Sequence, residues 1–306
     1  MTDANRNDAE DSYAVLLIKD DPTGQAKVIF ERVQDLNPDE YRRYQAAYRV
    51  LLDILVSNLF AYVRQSSLDF MQTVLDASVA FRDGKISYTR PDDAVLWGTR
   101  LRTNVLSVCS SIHHHQDQSY IAVIKKFGKD SDQHVAMKAE FANIYDNNFG
   151  YRYLYKMRNT MVHFTMMTAS MNASAEMRNG EKAGFVDMRM DRSALLEQKD
   201  HLNRKLRDEL LALSEDPSVH EMVNEALPEL RLTNRRVLEI LYPEIESYCK
   251  TVTEFDALFE GRSGVRGLIH QQSPELRPPF TTGYSAWATQ VFLYAYARTG
   301  QEPPAN

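Results

Sequence analysis

Apolar residues recur along most of the chain at three- and four-residue steps, the spacing of one helix face. The first exception is the N-terminal region, where Tyr13 to Lys19 and Lys27 to Val33 are apolar-rich runs. They flank Asp20-Asp21-Pro22-Thr23-Gly24, a turn-forming cluster, and together predict a β-hairpin. From Pro38, the residues Tyr44, Tyr48, Leu51, Leu55, Leu59 and Tyr62 form one apolar stripe. It continues through Met71 and Leu75 to Phe81, with a candidate break at Ser66-Ser67 and an end at Asp83-Gly84. A second helical pattern starts at Pro91-Asp92, passes Trp97, Leu101, Val105, Val108 and Ile112, and extends past three histidines to Phe127. A third begins near Asp130 and resumes after Gly150 with Leu154, Met157 and Met161. Alternation over Phe185 to Met190, after the turn signal Asn179-Gly180, predicts a second hairpin near 166–190. Helices return over Ser193 to Leu213 and over Leu232 to Phe259, the latter bent near Pro243. The tail from Gly261 is rich in Gly and Pro, and Tyr284 to Arg298 fits helix or strand. The fold class is therefore mainly α, an antiparallel helical bundle with one or two small β-hairpins.

Composition adds bounds. The chain has 306 residues, 43% of them hydrophobic and 25% charged, which suits a globular protein with a substantial core. No apolar run approaches the roughly 18 residues that span a bilayer, so no membrane partner is expected. Residues 1–11 are polar and acidic, without the order of a signal peptide, and read as a disordered leader. Cys109 and Cys249 offer neither a disulfide framework nor a CxxC pair, which fits a reducing, cytoplasmic setting. The net charge of −6 excludes broad, charge-driven nucleic-acid binding and demands a local basic patch for any such partner. No Walker loop, GxGxxG, HExxH or GxSxG is present.

Tyr151 to Phe164 reads YRYLYKMRNTMVHF and contains Arg158 and His163 as R-x4-H, with Asn159 after the Arg. A bare R-x4-H arises about once by chance in a chain with this many Arg and His. Its setting is more specific: late in a long helix, with an apolar spacer and an aromatic lead-in, YDNNFGYRYLYKMRNTMVH. Asn159 and His163 share a helix face, whereas Arg158 and His163 lie about 140° apart at 100° per residue. Three arrangements meet this constraint: Arg158 reaches round, the helix distorts, or two copies meet across a two-fold axis.

The segment from about Pro91 to Phe164 resembles the HEPN superfamily, whose hallmark is R-N-x3-H near the end of one helix of a small bundle. The resemblance covers about a quarter of the chain well. It implies a metal-independent endoribonuclease without a cofactor, in which Arg158 holds the phosphate, His163 transfers a proton and Asn159 positions His163 or the substrate. An RNA 2′-hydroxyl would attack the adjacent phosphate and leave a 2′,3′-cyclic phosphate. It also implies a homodimer with a composite site, a role in phage defence or a toxin–antitoxin system, and a restraining antitoxin or defence partner protein. The alternative within the same superfamily is a non-catalytic module that binds a nucleotide or a protein. On this reading 12–90 hold the hairpin and long helix, 91–260 a HEPN-like core, and 261–306 a C-terminal extension.

Two neighbouring features bear on RNA. Tyr151, Arg152, Tyr155 and Lys156 can stack on bases and hold phosphates, or can pack into the bundle. His113-His114-His115 cannot all ligate one metal ion, because consecutive helical side chains point 100° apart. They form a polar patch from which His113 or His115 can face an RNA. Arg231, Arg235 and Arg236, with Asn234, make a second basic spot, read as a solvated helix face.

Overall fold

The computed structural model describes residues 11–87, 89–178, 180–197, 202–271 and 284–304. The expected leader lies outside them, except for Asp11. In chain order the elements are β1 (Ser12–Asp20), β2 (Val28–Leu36), α1 (Pro38–Val56), α2 (Leu59–Arg82), α3 (Pro91–Phe127), α4 (Asp132–Asn147) and α5 (Phe149–His163). Then follow β3 (Ala169–Arg178), β4 (Glu181–Met190), α6 (Arg192–Leu196), α7 (Arg204–Ala212), α8 (Val219–Leu241), α9 (Ile245–Ala257), β5 (Val265–Gln271), β6 (Tyr284–Ala286) and α10 (Thr289–Thr299). The protein is mainly α, with two small antiparallel sheets among the described residues.

Local chemistry sets most of these boundaries. Asn37 and Glu40 form a capping box at the start of α1, and Pro38 occupies its first turn. Ser131 caps α4 and Asn148 caps α5, each side chain accepting from a backbone N–H of the first turn. Gly84 takes φ +70° just after α2, a conformation that suits a residue without Cβ.

The chain separates into two compact units, one made of residues 1–57 and 242–306, the other of 58–241. These divisions differ from the boundaries near 90 and 260 that the pattern suggested. In the first unit β2, β1, β5 and β6 form one antiparallel sheet, with Ala14 to Ile18 of β1 buried at its centre. The predicted N-terminal hairpin is thus present, and it pairs with a strand of the supposed extension. Helices α1, α9 and α10 pack together there, and Trp287 stacks on Phe255 and Tyr48.

The second unit holds α2 to α8, with β3 and β4 as the second predicted hairpin, turning through Gly180 at φ +82°. Its core runs from Val63, Phe70 and Ala77 of α2 through Leu101, Val105 and Val108 of α3 to Leu154, Met157 and Met161 of α5. Leu230 and Val237 of α8 close it.

Several expectations are corrected. The long N-terminal helix breaks at Ser57–Asn58, where Asn58 leaves helical geometry to cap α2, and not at Ser66-Ser67. Those two serines are buried inside α2, their hydroxyls donating to the Val63 carbonyl. By length and composition Pro38–Arg82 includes a stretch able to cross a membrane, 28% of it buried, contrary to the expectation that none exists. The Ser57–Asn58 turn divides Pro38–Arg82 into two helices. The single helix expected over Ser193 to Leu213 is two helices, α6 and α7, the second started by an Asn203 cap. Helix α8 begins thirteen residues before the expected Leu232, at Val219, and carries Pro228 inside it.

Candidate functional site

Asn148 and Gly150 position the start of α5. The Asn148 side-chain oxygen accepts from the Tyr151 N–H, and its amide donates to the Glu225 carbonyl of α8. A Cβ at Gly150 would stand 2.5 Å from the Met222 carbonyl oxygen, so α5 and α8 touch through backbone there. Beyond this anchor the aromatic run turns inward. Tyr151 is fully buried and donates to Gln116 at 2.8 Å. Arg152 is 1% exposed, ion-paired with Glu209 through two nitrogens and also donating to the Tyr145 carbonyl. The proposal that Tyr151 and Arg152 contact RNA is therefore corrected. Both are structural, because the helix face that carries them packs against α3, α7 and α8. Tyr155 and Lys156 are half-buried and keep some surface. Burial lowers the Lys156 pKa.

Arg158 lies further along α5. It is half-buried, and its Nη1 donates to Asn159 Oδ1 at 3.2 Å. Its Nε is buried without a partner, and it forms no ion pair with any described carboxylate. An arginine with donors in reserve is suited to take an anion. Asn159, expected to position His163 or the substrate, accepts from Arg158. His163 is the last residue of α5 and is exposed.

Arg158 opens onto a groove of about 640 Å³ between α2, α3 and α5. One wall carries Tyr62, Gln65, Ser66 and Asp69 of α2, and the other Ser107, Ser110, Ser111, His113, His114 and Asp117 of α3. These positions recur at three- and four-residue steps, so two polar stripes on amphipathic helices face each other. Ser66 and Ser111 join across the groove through their hydroxyls at 2.8 Å. His163 does not line it, so the structure brings Arg158 together with His113 and His114 rather than with the histidine of its own motif.

The three consecutive histidines splay as helix geometry requires. His113 and His114 line the groove, whereas His115 is fully buried and donates from Nε2 to Asn234 Oδ1 at 3.0 Å. Burial lowers the His115 pKa to about 4, against the opposing bond to Asn234. His115 therefore faces the core and not an RNA, and Asn234 is part of its hydrogen bond rather than of a basic surface spot. Arg235 and Arg236 pair with Glu239 and Glu140. The His113 ring stacks on Tyr155, with centroids 3.7 Å apart and planes 16° apart. Its Nε2 lies 2.7 Å from the Tyr155 carbonyl, which can only accept, so Nε2 carries the proton. Burial lowers the His113 pKa, the Tyr155 bond opposes this, and the Arg158 charge adds to it.

Among the described residues no group of three or more His, Cys, Asp or Glu side chains comes together as a metal-ligand set. No family model, curated protein or solved structure matches the chain.

Proposed function

We propose that this chain is a metal-independent endoribonuclease of HEPN type, acting through Arg158 and His163. The observation that carries this reading is the state of Arg158: half-buried, unpaired with any described carboxylate, and opening on a groove that also holds two histidines. Such a guanidinium can hold a phosphodiester through two donors and stabilise the charge that builds on phosphorus. His163, exposed at the end of α5, is accessible to a substrate or to a site in a second copy. On this reading the protein is a homodimer in which His163 of one copy serves Arg158 of the other. The resemblance of the R-N-x3-H element and its aromatic lead-in to HEPN proteins supports a role in phage defence or a toxin–antitoxin system, with RNA as substrate and a restraining protein as partner.

A second reading, a non-catalytic module that holds a nucleotide, is favoured by the groove itself. Asp69 and Asp117 share it with Arg158, and His163 does not line it. One cation between carboxylates suits a small ligand with hydroxyl groups better than a long polyanion.

Cleavage of 5′-labelled single-stranded RNA in EDTA, by wild type and by Arg158→Ala and His163→Ala, separates the two. Loss of about 10²-fold or more in both variants is the expected result. Equal rates in all three would assign the cleavage to another site. Intact RNA with wild type, alongside saturable nucleotide binding lost in Arg158→Ala, would establish the non-catalytic module.

A further inference from the structure

The R-N-x3-H element places its arginine in the groove and its histidine outside it. This leaves the phosphate-holding residue next to a different histidine, on a different helix. We propose that His113 of α3 is the proton-accepting base of the Arg158 site, so that base and phosphate ligand come from one chain.

The inference rests on the ribonuclease reading above and adds a residue that the motif does not contain. Three geometric observations carry it. His113 and Arg158 line the same groove, from α3 and α5. The Nε2–H of His113 is committed to the Tyr155 carbonyl at 2.7 Å, which fixes the tautomer and leaves Nδ1 as the lone-pair nitrogen. Ring stacking on Tyr155 at 3.7 Å fixes the plane as well, so the imidazole is oriented before any substrate arrives. A base held by a carbonyl on one nitrogen has its other nitrogen left to take one proton.

The surroundings favour the same direction. Burial is the main influence on His113 and lowers its pKa, favouring the neutral ring, with the charges of Arg158 and Lys156 on α5 adding to this. Asp117 on α3 and the Tyr155 carbonyl oppose them, and Asp69 on α2 lines the same groove. A neutral imidazole beside a fixed cation can act as a base without first losing a proton.

The step balances without a further reagent. The 2′-hydroxyl proton passes to His113 Nδ1 as O2′ attacks phosphorus. The P–O5′ bond breaks, and the leaving oxygen takes a proton from His163 of the second copy. The products are a 2′,3′-cyclic phosphate and a 5′-hydroxyl end.

The test uses the full-length protein, 5′-labelled single-stranded RNA of mixed sequence, and EDTA. The proteins are wild type, Arg158→Ala, His113→Gln and His113→Gly. The Gln amide can still donate to the Tyr155 carbonyl but cannot take a proton near neutrality. Expected is a loss of about 10²-fold or more in His113→Gln at an unchanged melting temperature. The acidic limb of the wild-type kcat/KM profile, placed below the ordinary histidine value of about 6.5, is expected to vanish. Added imidazole is expected to restore part of the rate in His113→Gly. Cleavage abolished in Arg158→Ala but undiminished in His113→Gln, with the limb intact, would overturn the role of His113 and leave the ribonuclease reading standing. A loss in His113→Gln with the limb retained and no imidazole rescue would also overturn it, marking the residue as structural. Absence of cleavage by wild type would overturn both.

Discussion

Two arginines six residues apart on α5 show how burial and pairing can divide similar side chains. Arg152 is 1% exposed and tied to Glu209, whereas Arg158 has no carboxylate partner among the described residues. Removing one partner of a buried pair leaves an uncompensated charge. Glu209→Ala is therefore expected to cost on the order of 3 kcal/mol in urea unfolding, with Arg152→Met costing less. A destabilisation under about 0.5 kcal/mol would show that Arg152 is solvated and available to a ligand. The same division separates the histidines. His115, lowered to about 4 by burial, is neutral in the fold, while its unfolded form takes up a proton below about 6.5. Stability should hold above that value, fall as pH drops from about 6.5 to about 4, and level off below, by on the order of 3 kcal/mol in total. His115→Gln should flatten this part of the pH–stability curve, and an unchanged slope would place the proton uptake elsewhere. The hundred-degree splay of His113, His114 and His115 could be foreseen from helix geometry. Which of them faced the core could not, because that depends on Phe60 and Phe141 packing around His115.

At the scale of elements, the strongly periodic helices and both hairpins were legible because their caps and turns are written locally. Pro91 opens α3, Asn148 caps α5, and Gly180 turns the second hairpin. The misplaced boundaries share a physical cause. Apolar residues run on across Ser57–Asn58, so the stripe conceals the turn, and Tyr62, assigned to it, is 60% exposed on the groove. Helix α8 persists through Pro228. Burial of Val219, Met222, Val223, Ala226 and Leu230 offsets the roughly 3 kcal/mol that an interior proline costs. The groove was not read from the sequence; its walls are two polar stripes, Tyr62–Gln65–Ser66–Asp69 and Ser107–Ser111–His114–Asp117. Nothing local indicates that they meet. The close backbone approach of α5 to α8 makes Gly150 sensitive. Gly150→Ala is expected to destabilise by about 2 kcal/mol, since the new methyl meets a carbonyl 2.5 Å away that cannot swing aside. A neutral effect on the melting temperature would contradict the backbone contact.

At the scale of the whole molecule, the first unit joins two ends of the chain. Strand β1 pairs with β5 some 250 residues later, a long-range match that no local pattern encodes. Ionic strength tests how the groove meets a polyanion. With a net charge of −6 and Arg158 as the phosphate ligand, log K for single-stranded RNA should fall with log salt at a slope on the order of −1. A slope several times steeper would locate binding on a broad basic surface instead. If the site is shared between two copies, mixing inactive Arg158→Ala with inactive His163→Ala should restore measurable cleavage through hybrid dimers. No recovery would confine the reaction to one chain. The most direct test of the Arg158 site is the chemical end left on RNA. Mass spectrometry of fragments formed in EDTA is expected to show 2′,3′-cyclic phosphates with wild type and none with Arg158→Ala, and no cleavage of a 2′-deoxy substrate by either. Cyclic phosphates at equal yield from both proteins, or none from wild type, would contradict it.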